Sequence, residues 1–295
     1  LLAERNVEMV VGEADIAELV AKWTGIPAGR LLEGEARYRK LVEMLASIDG
    51  IDLALTTNAS LLASQARALA RAGLKRVTVS LDSLDDEVFR AMNDVDVPVA
   101  RVLEGIAAAE RAGLAPVKIN AVVRRGVNDH TLVDLARHFK GSGHIVRFIE
   151  FMDVGTTNGW RLDEVVAASA LIERIDAELP LVPLDPNYDG EVARRWAYAD
   201  GEGEIGLITS VTEPFCATCT RARISADGRL YTCLFAVEGV ELRDRMRAGA
   251  SDDELAATMR AVWEQREDRY SELRSEATSD LPRVEMSYIG GGRWQ

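Results

Sequence analysis

Cysteine is scarce in this 295-residue chain: there are three, all within residues 216–233. An odd set of that size cannot build a disulfide scaffold. The C-x-x-C spacing of Cys216 and Cys219 points instead to metal or redox chemistry in a reducing compartment. Long apolar runs are missing too, so no segment suggests a membrane-spanning helix. The opening stretch LLAERNVEMVVGEAD carries charges that interrupt any signal-peptide core. These absences predict a soluble, cytoplasmic protein that meets no membrane. Positive charge is outnumbered, with 35 Lys and Arg against 48 Asp and Glu and a formal net charge of -13. That balance argues against nucleic acid as a partner. Any anionic ligand would need a local cluster of Arg or Lys inside an acidic protein. There is no G-x-x-x-x-G-K-S/T, which excludes a Walker-type ATPase.

What is present is a rhythm. With 47% hydrophobic residues the chain can bury a sizeable core. From residue 51, β-rich runs alternate with amphipathic helical runs: IDLALTTN before SLLASQARALARAGL, KRVTVSLDS before DDEVFRAMN, APVKINAVV before DHTLVDLARHFK, then HIVRFIEFMDVG. Such alternation predicts right-handed βαβ units and a parallel sheet. The carboxyl ends of these strands read as polar: Thr56, Thr57 and Asn58; Ser80 and Asp82; Lys118 and Asn120; Arg147, Glu150 and Met152. In a β/α barrel the carboxyl rim of the strands faces the ligand. A polar strand end can also simply meet solvent, but a Lys and an Arg inside apolar strands are costly to bury without an anionic partner. Beyond about residue 165 the pattern changes to a helix, a Pro-rich loop, two strands, a cysteine hairpin and further helices.

The hairpin is FCATCTRARISADGRLYTCLF. Asp227 and Gly228 mark its turn. A three-residue loop, Ala226 to Gly228 with Gly228 left-handed, sets Cys233 opposite Arg221 and gathers Cys219, Arg221, Arg223 and Cys233 on one face. A two-residue loop would turn Cys233 away. Three cysteine ligands leave one position open on a tetrahedral metal or on one iron of a 4Fe-4S cluster, and the two arginines can grip phosphate. Spacing alone leaves four other readings open: zinc completed by His130, His138 or His144; a free-standing redox pair; inert cysteines; or a solvated arginine face.

The runs ALTTNASLL, VTVSLDSLDDEVFRAMN, VKINAVVRRGVND, RFIEFMDVGTTNGW, CATCTRARISADGRLYTCLF and MSYIGG, in that order, closely resemble the MoaA family, the radical S-adenosylmethionine GTP 3′,8-cyclases of molybdenum cofactor biosynthesis. The similarity spans about residues 33–291. It implies a 4Fe-4S cluster held by Cys216, Cys219 and Cys233, with the open iron presented to the guanine of GTP. It implies GTP contacts from Thr56, Lys118, Arg147, Arg221, Arg223 and Arg30, and S-adenosylmethionine contacts from Ser80, the backbone at Met152, Gly34 and Glu35. In the family a 5′-deoxyadenosyl radical removes the ribose 3′ hydrogen and C3′ then joins guanine C8. The family's terminal double glycine corresponds to Gly290 and Gly291, here followed by Gly292 to Gln295.

Two departures accompany the likeness. The family starts its radical at an N-terminal C-x-x-x-C-x-x-C loop, and this chain has no cysteine before Cys216. Residues 15–35, DIAELVAKWTGIPAGRLLEGE, instead look like the segment before the second ATPase domain of Clp-type disaggregases, a likeness that accounts for Arg30 equally well. The expected fold class is α/β: a partial (βα) barrel of the radical SAM type lacking its first strands, plus a C-terminal α/β extension carrying an iron-sulfur site. The expected divisions are a helical Clp-like segment at 1–36, the partial barrel at 37–165, and a cluster and GTP-binding domain at 166–295. Expected partners are GTP, S-adenosylmethionine and a second copy of the chain as a homodimer, with negligible cyclase activity from this polypeptide alone. The alternatives are a non-catalytic GTP-binding remnant and a zinc-stabilised interaction protein.

Overall fold

A computed structural model describes residues 38–93, 96–155 and 158–274, together with Val284. The Clp-like stretch with Arg30, Gly34 and Glu35, and the tail with Gly290 and Gly291, lie outside the described residues.

Five strands pair in parallel: β1 (Ala54–Thr57), β2 (Arg76–Ser80), β3 (Lys118–Val123), β4 (Ile145–Glu150) and β7 (Glu204–Ile208), adjacent in that order. Two antiparallel strands, β6 (Arg194–Tyr198) and β5 (Leu181–Leu184), extend the sheet beyond β7. The chain therefore leaves β4, runs to the far edge and returns inward to place β7 beside β4. β5 contains Pro183 and falls within the stretch that reads as a Pro-rich loop. It survives as a strand because it lies at the sheet edge, where a missing N–H costs no ladder bond on the open side.

The sheet has two unlike faces because side chains alternate along each strand. On one face Val77, Val79, Ile119, Ala121, Val123, Val146, Phe148, Ile205 and Leu207 are buried. They belong to one apolar cluster with Leu62, Ala66 and Leu69 of helix α2 (Leu62–Arg71), and with Val102, Ile106 and Ala109 of α4 (Val99–Arg111). Leu132, Leu135 and Ala136 of α5 (Leu132–Phe139) and Leu171 and Ile175 of α6 (Ala168–Asp176) complete it. Each large side chain buried this way contributes about 1.5–3 kcal/mol. Helix α1 spans 38–46. Helix α3 (Asp86–Met92) starts at Asp85, whose carboxylate accepts from the N–H groups of Glu87 and Val88 at 3.0 Å. Asp86 then accepts from Val99 N–H at 2.8 Å, tying α3 to α4. The single helical run foreseen between β2 and β3 is thus two helices.

The opposite face is polar and half-exposed. The register aligns Thr56 with Thr78 and Lys118, and Ser80 with Asn120 and Arg147. This parallel, helix-covered sheet fits a partial radical SAM barrel. A second, three-stranded sheet consists of β8 (Arg223–Ile224), β9 (Arg229–Tyr231) and β10 (Val240–Glu241). Helices α7 (Arg243–Arg247), α8 (Asp252–Glu264) and α9 (Tyr270–Leu273) follow. Among the described residues no helix is long and apolar enough to cross a membrane.

Glu150 joins the two parts of the chain. Its position on β4 puts it on the helix face with Val146 and Phe148, 1% exposed, and not toward a ligand as the rim pattern suggested. Its carboxylate accepts from Ala168 N–H at the start of α6 (3.1 Å), from Val211 N–H (2.8 Å), from Thr212 N–H (2.9 Å) and from the Thr212 hydroxyl. Replacing Glu150 with Gln inserts an amide donor among these donors. Glu150→Gln should cost roughly 2–3 kcal/mol of stability in urea unfolding; a change within experimental error would show that the network is not held in solution.

Candidate functional site

The cysteine hairpin is built on its turn. Ser225 N–H donates to the Arg229 carbonyl at 3.0 Å and Gly228 N–H to the Ser225 carbonyl at 2.9 Å, leaving Ala226 to Gly228 as a three-residue loop. Gly228 has φ of 84°, a conformation that glycine adopts without a Cβ penalty. Arg223 pairs with Tyr231 and Ile224 with Leu230. Continued by two places, that register sets Arg221 opposite Cys233. Ile224 points outward at 58% exposure, so Arg221 and Arg223 share the inner face.

All three cysteines are free and half-buried. The Arg221 guanidinium donates to the Cys219 sulfur from Nε (3.3 Å) and Nη2 (3.1 Å) while lying 4.9 Å over the Phe215 ring. Burial pushes the Cys219 thiol up, but hydrogen bonds from Arg221, with Arg266 nearby, outweigh it and hold the thiol below its usual range. Cys233 is raised by burial and by the carboxylate of Asp268. Arg223 is lowered by burial and by neighbouring Arg221, and it lies within the field of both Cys219 and Cys233.

Lys118 and Arg147 lie on the polar sheet face. Lys118 opens β3 and so sits at its amino end, where the rim pattern had placed it at the carboxyl end. Burial lowers its ammonium, and the charges of Arg147 and Arg76 add to that. Arg147 Nε donates to Asn120 at 2.8 Å. The Arg147 stem crosses Gly206 of β7, where an added Cβ would lie 3.1 Å from Cγ. Its guanidinium too is lowered by burial. Thr56 is exposed on β1, Ser80 closes β2, and the Met152 carbonyl accepts from Asn158 at 2.9 Å.

The loop 185–191 connects the sheet face to the hairpin. Tyr188 and Glu191 lie within the electrostatic reach of Arg147. Gly190 sits so close to the Thr218 carbonyl that a Cβ there would come within 2.7 Å of it. The polar sheet face and the cysteine loop therefore flank a common segment.

Asp82, the other rim candidate that the structure reassigns, is buried. It accepts from Val122 N–H at 2.8 Å, and the Asn128 amide bridges the carbonyls of Asp82 and Val122 at 2.8 Å each. Several residues with no sequence signal also shape the site. Arg266 donates to the Cys219 carbonyl at 2.6 Å. Tyr270 stacks on Phe235 at 4.4 Å. Arg274 pairs with buried Asp153 at 2.9 Å. These partners lie 35 to 121 residues apart in the chain, beyond the reach of any spacing rule. Glu150 was readable, because it is an odd number of places from Arg147 on one strand.

Among the described residues no three His, Cys, Asp or Glu side chains are gathered to hold one metal ion. A cubane cluster binds its thiolates to separate irons, farther apart than a single tetrahedral ion does. Three soft, unbridged sulfurs, one of them held toward thiolate by arginine, fit such a cluster.

A GTP 3′,8-cyclase of Xanthomonas campestris pv. campestris (strain 8004) is 52% identical over 272 residues, covering 90% of this chain and 80% of that protein. The chain belongs to the GTP 3′,8-cyclase family. Other members include those of Acidothermus cellulolyticus, 49% identical over 297 residues with 90% and 82% covered, and Staphylococcus epidermidis (strain ATCC 35984), 43% identical over 276 residues with 90% and 81% covered. The Radical SAM superfamily matches residues 28–139, and Molybdenum Cofactor Synthesis C matches 144–272. A radical SAM methyltransferase from Sphaerobacter thermophilus matches 42% of this chain and 36% of its own, at 19% identity and a TM-score of 0.35.

Two outcomes follow from this geometry. Burial raises the Asp82 carboxyl to about 6, against hydrogen bonds from Val122 and Asn93. The folded state thus holds the proton more tightly than the unfolded chain, and this group's contribution to stability falls as pH rises from about 4 to 6. Asp82→Asn should flatten that part of the stability curve and gain on the parent above pH 6; parallel curves would refute the burial of the charge. Arg221→Met should shift the alkylation profile of Cys219 in the metal-free chain to higher pH and slow the reaction several-fold near neutrality. An unmoved profile would mean that the guanidinium does not hold the sulfur.

Proposed function

We propose that this chain acts in molybdenum cofactor biosynthesis as a GTP 3′,8-cyclase-type protein, binding GTP between the polar sheet face and the cysteine hairpin. The observation that carries this reading is the pairing of two cationic surfaces in a chain of net charge -13: Lys118 with Arg147 on the sheet, and Arg221 with Arg223 on one side of the hairpin. Partly dehydrated cations that repel one another are stabilised by a polyanion, and a triphosphate supplies one. Loop 185–191, packed on the cysteine loop through Gly190 and within the field of Arg147, supports a single ligand spanning both surfaces.

In this reading Cys216, Cys219 and Cys233 hold a 4Fe-4S cluster. When bound, the group supplies an iron with an open position for a donor atom of the purine. Arg221 serves the sulfur of Cys219 and, with Arg223, the nucleotide. Lys118 and Arg147 fix the triphosphate, and Thr56 closes that side. Ser80 and the Met152 backbone, near the ends of β2 and β4, meet S-adenosylmethionine, with Arg30, Gly34 and Glu35 completing the two ligand sets. These 295 residues hold no cysteine beyond the three, so a radical-generating cluster needs thiolates from outside them. A reducing, cytoplasmic setting suits the free thiols. β1, an edge strand among the described residues, is the surface on which a second copy would pair.

The test is to reconstitute the chain with iron and sulfide without oxygen, assay iron, sulfide and zinc, and record paramagnetic resonance with and without GTP. One cluster per chain with a GTP-shifted signal is expected. Arg147→Met and Lys118→Met should each weaken GTP binding roughly tenfold, as loss of one charge-assisted contact does. Zinc in place of iron, or a signal indifferent to GTP, would sink this reading.

A further inference from the structure

Arginines from the C-terminal segment reach both arms of the cysteine hairpin. The first is Arg266, whose side chain is 11% exposed. Its Nη1 donates to the Cys219 carbonyl at 2.6 Å, its guanidinium lies 4.8 Å over the Trp263 ring, and its Nε is 3.4 Å from Asp268. Flanked by a ring and a carboxylate, the guanidinium has little freedom to leave the peptide that it holds.

The second is Arg274, with its side chain 6% exposed. Nε donates to buried Asp153 just beyond β4 at 2.9 Å, and Nη1 donates to the Ser210 carbonyl at 2.8 Å. Ser210 lies in a turn closed by Glu213 N–H on the Thr209 carbonyl at 3.2 Å and by the Thr209 hydroxyl on the Glu213 carbonyl at 3.0 Å. That turn leads directly into Cys216. On its other side Arg274 lies 5.2 Å from the Phe235 ring, two residues after Cys233. One guanidinium therefore spans the approach to Cys216, the exit from Cys233 and the end of the strand that carries Arg147.

We propose that Arg266 and Arg274 are positioning residues for the cysteine site: Arg266 sets the Cys219 peptide, and Arg274 locks the arms bearing Cys216 and Cys233 to the end of β4. The inference rests on the cluster-binding reading above. A buried ion pair is weak evidence for stability, because apolar side chains of similar size often serve as well. What a planar fork adds is direction, since it fixes several acceptors at set angles. Three thiolates must be held in register for one cluster, and direction is what they require.

The test uses the full chain and four variants, Arg266→Met, Arg266→Lys, Arg274→Met and Arg274→Lys. Amide hydrogen exchange is followed by mass spectrometry without metal or nucleotide. Arg266→Met should speed exchange in 219–221 roughly threefold or more and leave 209–216 and 233–236 unchanged, whereas Arg274→Met should do the reverse. The Lys variants, which keep charge and lose the fork, should show the same patterns at smaller amplitude, and they decide the matter if a Met variant does not fold. Exchange that is unchanged, or raised evenly across the seven-stranded sheet, overturns the proposal. After iron and sulfide reconstitution, each Met variant should bind less iron than the parent or shift the cluster's absorption; altered exchange with an unaltered cluster would make these residues structural only and also overturn it. If the parent itself takes up no iron, the functional reading fails, and the exchange pattern alone then decides the positioning claim.

Discussion

Glu150 and Asp153 are withdrawn from water at the end of β4, 1% and 0% exposed. Carboxylates so buried must find donors. Those that they recruit come from the start of α6, from Val211 and Thr212, and from Tyr270 and Arg274. Apart from Ala168, which opens the core helix α6, each donor belongs to a segment that enters or flanks the cysteine hairpin. The position of the hairpin against the sheet follows from satisfying two carboxylates, one on β4 and one just beyond it, while Arg147 lies on the opposite, polar face of that strand. Buried Glu150 and the cation of Arg147 are thus separated by the alternation of a single β-strand.

Electrostatics on the polar face works against the charged forms of its cations. Lys118 and Arg147 are lowered chiefly by burial and also feel other cations. Glu191 acts on both in the opposite sense. Its carboxylate is tied to Asn187 by bonds of 2.6 and 3.2 Å, which hold the loop that also packs on Thr218 through Gly190. Arg195, paired with Glu204 at 2.5 Å, has its guanidinium already answered. The cations left to meet an anion are therefore few and local, in keeping with the acidity of the chain as a whole.

Much of this was legible before folding. The parallel strands announced themselves through β-branched runs between amphipathic helices, and Asp-Gly announced the hairpin. The three-residue loop needed for a common cysteine face is the one that formed. Other features were hidden. Pro183 disguised β5, since a proline argues against a strand unless that strand lies at an edge, and edge position is a tertiary fact. Asp82 and Glu150 looked like ligand-facing groups because polarity near a strand end says nothing about which side of the sheet a residue occupies. Lys118 seemed to close a strand that it opens, because boundaries depend on where pairing begins.

By itself the sequence determined the alternation of elements, the hairpin register and the presence of three soft donors beside two arginines, because all of these arise from contacts within a few residues or from strand period. Tertiary structure alone decided that Arg266 reaches Cys219 and that Arg274 bridges Asp153, Ser210 and Phe235. It also decided which polar side chains anchor the core and which stand toward the proposed ligand. The physical reason is distance along the chain: only when the hydrophobic face of the sheet has been covered are buried carboxylates brought to donors dozens of residues away.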